Sequence, residues 1–247
     1  MRITRALIWT AFLTFALAAP AAAQWTLDAE GGMAWSGYNN VRIPGDAGTL
    51  FSLSRDLDSN GSAFVRLRLG WQFHPRHSLS VLYAPLKFAS AGILDRDVFF
   101  VDQVFPAGQA LRGTYVFNSY RLTYRYTLVR RPRFEAGIGL TIKVRDALIR
   151  LENPERDAEK KDLGFVPLIN FRVLGRIGKD WGVLFEGDAL AAPQGRAEDV
   201  SLAAWVDLTK SLRLKAGYRI VEGGASNDEV YTFALFHYAV VGAVLTF

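Results

Sequence analysis

From residue 25 to the end, apolar and polar side chains alternate in runs of strand length, separated by turn residues. A period of two is the strand period, because successive side chains point to opposite faces. Residues 25–38 set Trp25, Leu27, Ala29, Met33 and Trp35 against Thr26, Asp28, Glu30 and Ser36. Residues 62–73 set Val65, Leu67, Leu69 and Trp71 against Phe64, Arg66, Arg68 and Gln72. A third run, 78–88, loses phase near Pro85, which marks a bulge or a strand end. The fourth, 110–128, opposes Tyr120, Leu122, Tyr124 and Tyr126 to Ser119, Arg121, Thr123 and Arg125. The fifth, 134–145, opposes Phe134, Ile138, Leu140, Ile142 and Val144 to Glu135, Thr141, Lys143 and Arg145. Runs at 164–177, 181–188, 200–208 and 212–220 follow the same rule. Their polar faces carry Arg172 and Arg176; Glu186 and Asp188; Ser201 and Asp207; Arg213, Lys215 and Arg219. The tenth run, 230–247, ends the chain.

The connections alternate in length. Those at 74–77, 130–132, 178–180 and 209–211 are tight. Those at 39–61, 89–109, 154–161, 193–198 and 222–228 are longer and polar. Short turns on one side and long loops on the other predict an all-β, antiparallel up-and-down transmembrane barrel. An even strand number returns both termini to the short-turn side. Ten strands are expected, with eight or twelve left open by the ragged third run.

The last run reads Phe247, Leu245, Ala243, Val241 and Ala239 on one face and Thr246, Val244, Gly242, Val240 and Tyr238 on the other. It resembles the closing strand of bacterial outer-membrane β-barrels, whose terminal aromatic strand is read by the barrel-assembly machinery. That resemblance makes Phe247 and Leu245 the expected assembly signal. It also implies a cell outer-membrane location, with outer-membrane lipid and lipopolysaccharide as surroundings. A monomer is expected. Residues 1–23 read as a signal peptide: Arg2 and Arg5, a short apolar stretch over 6–18, then Ala21-Ala22-Ala23. The barrel is expected over 24–247.

Composition agrees with this reading. Half of the residues are hydrophobic and 13% aromatic, yet no run reaches the ~20 apolar residues of a membrane-spanning helix. There is no cysteine, so disulfides and thiolate metal sites are excluded. The formal charge of +5 falls to +3 without Arg2 and Arg5, and behind a signal peptide this mild excess does not point to nucleic acid.

Where the charges sit changes the picture more than their sum. They fall on one parity, which must face the lumen, since Lys or Arg on the lipid face at mid-bilayer costs ~2–4 kcal/mol. The expected lumen network comprises Arg66, Arg68, Arg121, Arg125, Lys143, Arg145, Arg172, Arg176, Arg213, Lys215 and Arg219, with Asp28, Glu30, Glu135, Glu186, Asp188 and Asp207. Neighbouring runs suggest pairs: Asp28 and Glu30 with Arg66 and Arg68, Glu135 with Arg125, Glu186 and Asp188 with Arg172 and Arg176, Asp207 with Arg213. Such a network fits a salt-bridged structural core. Its five surplus bases equally fit a narrow, anion-preferring pore.

Catalytic motifs are sparse. Asp95-Arg96-Asp97 and the strand count resemble ten-stranded omptin proteases, which place paired aspartates and an Asp-His pair at the outer mouth; no Asp-x-His occurs here. Lipid A-modifying barrels use a Ser-His arrangement, but Ser119 and Ser201 have no histidine on a neighbouring run. His74 and His77 flank a tight turn, and His237 sits among aromatic residues. Asp56, Asp58, Asp95, Asp97 and Asp102 crowd the outer loops, where they could hold divalent cations or simply be solvated. No cofactor or metal site is expected. A structural or narrow-channel barrel is the leading expectation; an enzyme with a site at the mouth, or a ligand-binding or adhesive barrel, is the alternative.

Overall fold

The structure, a computed structural model, describes residues 24–247 except Gln194; the expected signal peptide lies outside the described residues. The strands are β1 (Gln24–Arg42), β2 (Phe51–Ser52), β3 (Asp58–Ser59), β4 (Ser62–His74), β5 (His77–Ala84), β6 (Lys87–Ile93), β7 (Val98–Phe100), β8 (Gln103–Phe105), β9 (Ala110–Arg131), β10 (Phe134–Glu152), β11 (Asp157–Arg176), β12 (Trp181–Ala192), β13 (Gly195–Asp207), β14 (Leu212–Ser226) and β15 (Tyr231–Thr246). Ten antiparallel staves run in the order β1-β4-β5-β9-β10-β11-β12-β13-β14-β15. β15 pairs back onto β1 from Thr246↔Thr26 to Tyr231↔Arg42. Beyond it, Trp25 and Phe247 exchange two backbone hydrogen bonds of 2.8 and 3.0 Å. The barrel is closed at the β1–β15 seam, so neither terminal stave is left as an edge.

The ragged third run is one stave in two pieces. β5 pairs with β9 up to Ala84↔Ser119, and β6 resumes at Lys87↔Val116. Pro85 cannot donate to the ladder, and the break lies there. In β1 the register slips between Ser36 and Tyr38. The intervening residue is Gly37, where a Cβ would come within 2.6 Å of the His237 ring.

The staves outrun the alternating runs read from sequence. The stretches 154–161 and 222–228, expected as loops, are largely strand: β11 begins at Asp157 and β14 continues to Ser226. At bilayer depth the apolar parity faces out, with Leu140, Ile142, Leu202 and Val241 each more than half exposed. Higher up the parity inverts. On β9, Ser119 and Arg121 point inward, but above them Leu111 and Tyr115 do. On β10, Ile149 and Leu151 are buried, while Arg150 reaches outward to Asp157. On β14, Val221 is buried and Glu222 faces out. The staves leave the membrane there, and the outer wall meets water instead of lipid.

The stretches 39–61 and 89–109 are not merely polar loops. They contain β2, β3 and the β7–β8 hairpin, and they fold inward. Ile43, Phe51, Leu53, Leu57, Leu94, Val98, Phe100 and Phe105 pack with Phe88, Phe236, Tyr238 and Val221 into one buried apolar cluster. Phe88 stacks on Phe236 at 5.0 Å, and Phe51 meets Phe100 edge-on at 5.9 Å. This cluster caps one side of the outer mouth.

Candidate functional site: a bridged lumen beneath an open cup

The lower lumen is a layer of ion pairs that cross from wall to wall. Glu30 on β1 accepts from Arg219 at 2.9 Å and Lys215 at 2.7 Å, with Arg66 at 3.3 Å. Asp199 on β13 accepts from Arg66, Arg121 and Arg219 at 2.9, 2.6 and 2.5 Å. Asp188 takes Arg121 at 2.6 Å and hydrogen bonds from Thr141 and Asn170, both 2.7 Å. Thr141 also meets Thr123 at 2.8 Å. Arg68 on β4 reaches Glu186 on β12 at 3.2 Å, and these staves stand opposite each other in the ring. Such chords can form only where the lumen is narrow enough for two side chains to touch. A cavity beside Arg66 and Arg121 measures about 10 Å³, room for a single water.

The expected network assembles, with different partners in places. The neighbour pairing brings Asp28 opposite Arg68 and Glu30 opposite Arg66. Asp28, however, takes Lys215 at 2.7 Å, and Arg68 crosses the lumen instead. Glu135 pairs with Arg172 at 3.2 Å rather than with Arg125, which donates to Asn170 at 2.7 Å. Arg172 also lies 3.6 Å from Glu186, while Arg176 goes to Asp207 at 3.0 Å. Asp207 holds Arg213 at 2.7 Å as expected. Arg176 and Arg213 both lie against the buried Trp205 ring, at 4.8 and 3.9 Å. Sequence reasoning missed Asp199, because it began the eighth run one residue later. The signal was its parity, shared with Ser201 and Asp207. Three carboxylates, of Asp28, Glu30 and Glu186, bring oxygens within 4.8 Å of one another. Arg66, Arg68, Arg172, Arg219 and Lys215 already neutralise them.

The surplus of five bases falls to three, because Asp199 and Asp162 add two carboxylates. Arg145 pairs with Asp162, a carboxylate on the newly recognised part of β11. Among the described residues, nine of the eleven bases have a carboxylate within 4.0 Å; Arg125 and Lys143 do not. The Lys143 ammonium lies 4.6 Å from the centroid of the Phe117 ring. It sits in the floor of a cavity of about 690 Å³ that fills the other side of the mouth. Tyr115, Phe117, Ile149 and Phe236 form its apolar wall.

Outside the barrel, above the apolar run of β14 that ends at Ile220, lies a cluster that the sequence did not reveal. Arg196 grips Glu222 through two guanidinium nitrogens, at 2.6 and 2.7 Å, and the Tyr38 hydroxyl donates to the same carboxylate. Burial pushes the Glu222 carboxyl up, but the hydrogen bonds from Arg196 and Tyr38 outweigh it and hold the carboxyl below its ordinary 4.5.

The remaining candidates fall apart as a catalytic set. His74 and His77 meet edge-to-face at 5.0 Å in the short turn, where His77 shares a 2.7 Å hydrogen bond with Tyr124. His237 faces outward against Tyr218. Asp97 accepts from the backbone of Ala107 at 2.8 Å; Arg96 ties Asp95 to Asp56 at 3.6 and 2.7 Å. Ser119 accepts from Arg121 at 3.0 Å, and Ser201 is buried in the same layer. Leu245 and Phe247 lie on the lipid-facing side at the seam.

No protein-family model matches the sequence, and no curated protein matches it. Among solved structures, the outer-membrane protease OmpT from Escherichia coli superposes with a TM-score of 0.59 over 91% of this chain and 97% of that one, at 13% identity. Neisserial surface protein A gives 0.36 over 90% and 97% at 11% identity. Ail of Yersinia pestis gives 0.39 over 90% and 98% at 8% identity. The likeness to OmpT is one of fold, and the fold is that of a bacterial outer-membrane β-barrel.

Proposed function

We propose that this outer-membrane barrel is non-conducting: its charged lumen is a structural core, and its outward half does the work. The Arg68–Glu186 contact carries this reading, because it spans the barrel between opposite staves at 3.2 Å. The Arg121–Asp199 pair, at 2.6 Å, makes a second chord beside it. An ion would have to break several desolvated charge pairs to pass. Asp199 and Asp162 also cut the surplus of lumen bases from five to three, which weakens the positive field that an anion-selective pore would use.

The outward half supports ligand binding better than hydrolysis. Asp95 and Asp97 lie in the mouth loops, but the histidines lie in the short turn or face outward from β15, so no acid–imidazole pair forms among the described residues. The chain is read as inserted by the barrel-assembly machinery through Phe247 and Leu245, as a monomer surrounded by outer-membrane lipid and lipopolysaccharide. Residues 1–23 are read as the removed export signal.

Planar-bilayer recordings of the purified barrel test the closed reading. The expected result is no steady current at neutral pH above that of protein-free membranes. A reproducible, anion-selective unit conductance would overturn it.

A further inference from the structure

The wall of the barrel is interrupted beside the cup. β10 and β11 stay paired up to Glu152↔Asp157. On its other side β11 pairs with β12 only from Arg176↔Gly182 to Ile169↔Ala189. Among the described residues, 157–168 of β11 therefore have no strand partner there, and Lys160 reaches Glu229 of the β14–β15 turn at 3.6 Å. The sequence explains where the ladder ends. Pro167, with no N–H to donate, is the next residue of its parity after Ile169. The facing hairpin of β12 and β13 turns low, with Leu190, Ala191, Ala192 and Pro193 at its tip. β12 ends at Ala192, too short to rise beside β11.

The gap opens at the outer edge of the apolar band. Pro167 is opposite Ile142 and Phe165 opposite Val144, and Ile142 and Phe165 are 57% and 73% exposed. The large cavity borders both the lumen and the gap. Lys143, Tyr115 and Ile149 face the lumen, whereas Phe165, Pro167 and Phe233 face outward, yet all border the same space. Phe165 and Pro167 lie on the part of β11 that β12 does not cover, so the cavity meets the outer face at the gap. The cup is thus reached from the outer leaflet as well as from water.

Its chemistry is uneven. Most of the lining is apolar. Of the basic residues around it, Arg145, Lys160, Lys161 and Arg196 are occupied by Asp162, Glu229, Glu159 and Glu222. Among the described residues, Lys143 alone of these has no carboxylate within 4.0 Å, and it is almost wholly buried beneath the cavity. A buried ammonium without an anion is costly, so this position favours a single negative charge. The volume, about 690 Å³, lies in the range of small-molecule sites.

We propose that the cup binds a long-chain monoanionic amphiphile drawn from the outer leaflet, with its carboxylate on Lys143 and its chain leaving through the gap between β11 and the β12–β13 tip. Phe165, Pro167, Leu190 and Ala192 line the chain's path. This site lies above the ion-pair layer and does not depend on whether the lumen conducts; binding and current are separate readouts.

The test uses the full barrel in phosphatidylcholine nanodiscs and a stearate carrying a nitroxide on its chain. Electron paramagnetic resonance should show an immobilised component that saturates near one probe per barrel and is absent from empty discs. Lys143→Met should weaken binding roughly tenfold or more, the loss of one charged hydrogen bond. Lys143→Arg should retain it, which separates a lost charge from a misfolded wall. The methyl ester of the same probe should bind like stearate binds to Lys143→Met. No immobilised component in wild type, equal binding by stearate and its ester, or equal binding by wild type and Lys143→Met would each overturn the proposal.

Discussion

The lower and upper halves of the lumen are lined by the same staves but built from opposite chemistry. Below, Arg66, Arg219, Asp199 and Glu30 fill the interior; above, Tyr115, Ile149, Leu151 and Phe236 do. The difference follows from what lies outside. At bilayer depth the outer face must be apolar, so the polar residues of each alternating strand are turned inward and must neutralise one another. Beyond the membrane the outer face meets water. The charges move out, and the apolar parity turns in to pack with the loops. Alternation thus makes the strand, while the outer solvent decides which face becomes the core.

The strongest way to break this comparison is to remove the hub of the lower half. Asp199 neutralises Arg66, Arg121 and Arg219 at once. Asp199→Ala leaves charged groups buried without compensation and should cost ~3–5 kcal/mol in urea unfolding from lipid vesicles. Asp207→Ala is the control. Its pairs with Arg176 and Arg213 lie at the short-turn end and are partly exposed, so the loss should stay near ~1 kcal/mol. Equal losses would mean that the lower lumen is wetter than its packing implies.

A change in the upper half should act differently. Leu57 is fully buried in the mouth loop, held by the apolar cluster and not by charge. Leu57→Ala should cost roughly 2–3 kcal/mol through the cavity it leaves. The loss should appear first as faster amide exchange over residues 51–59, with β4 and β13 unchanged. A uniform rise across the barrel would show instead that the two halves unfold as one.

How much of this was readable in the sequence depends on the same inversion. Closure, strand number and the lumen parity of Arg66, Glu186 or Lys215 came directly from period two and from the alternating lengths of the connections. Partners did not: Arg68–Glu186 joins opposite staves, and no linear pattern encodes a chord across a barrel. The strand extensions are hidden because their polar residues look like those of loops. Asp157, Lys161 and Glu222 are polar since they lie on the outer face above the membrane, not because the strand has ended. A switch of apolar parity, such as Ile142 and Val144 giving way to Ile149 and Leu151 within one run, is the signal that would have found both the extensions and the apolar mouth. The lateral gap had a local cue in Pro167, but its meaning needed the register of β12.

The smallest effect concerns the outer face of the upper half, where Glu222 binds Arg196 and Tyr38. Its carboxyl is held below 4.5 in the folded barrel. A depressed carboxyl stabilises the fold fully above its unfolded value, and that contribution is lost as pH falls through the folded value. Partial exposure of Arg196 limits the pair to ~1 kcal/mol or less. Amide protection at residues 195–198 and 222–226, corrected for intrinsic exchange, should therefore be constant above about pH 5 and decline as the pH drops below 4.5. The ion-pair layer below, shielded from water, should keep its protection over the same range. Glu222→Gln should flatten the profile at the hairpin tips. If the decline persists in that variant, another carboxylate such as Asp162 or Glu229 governs the rim, and the outer cluster is only a solvated surface contact.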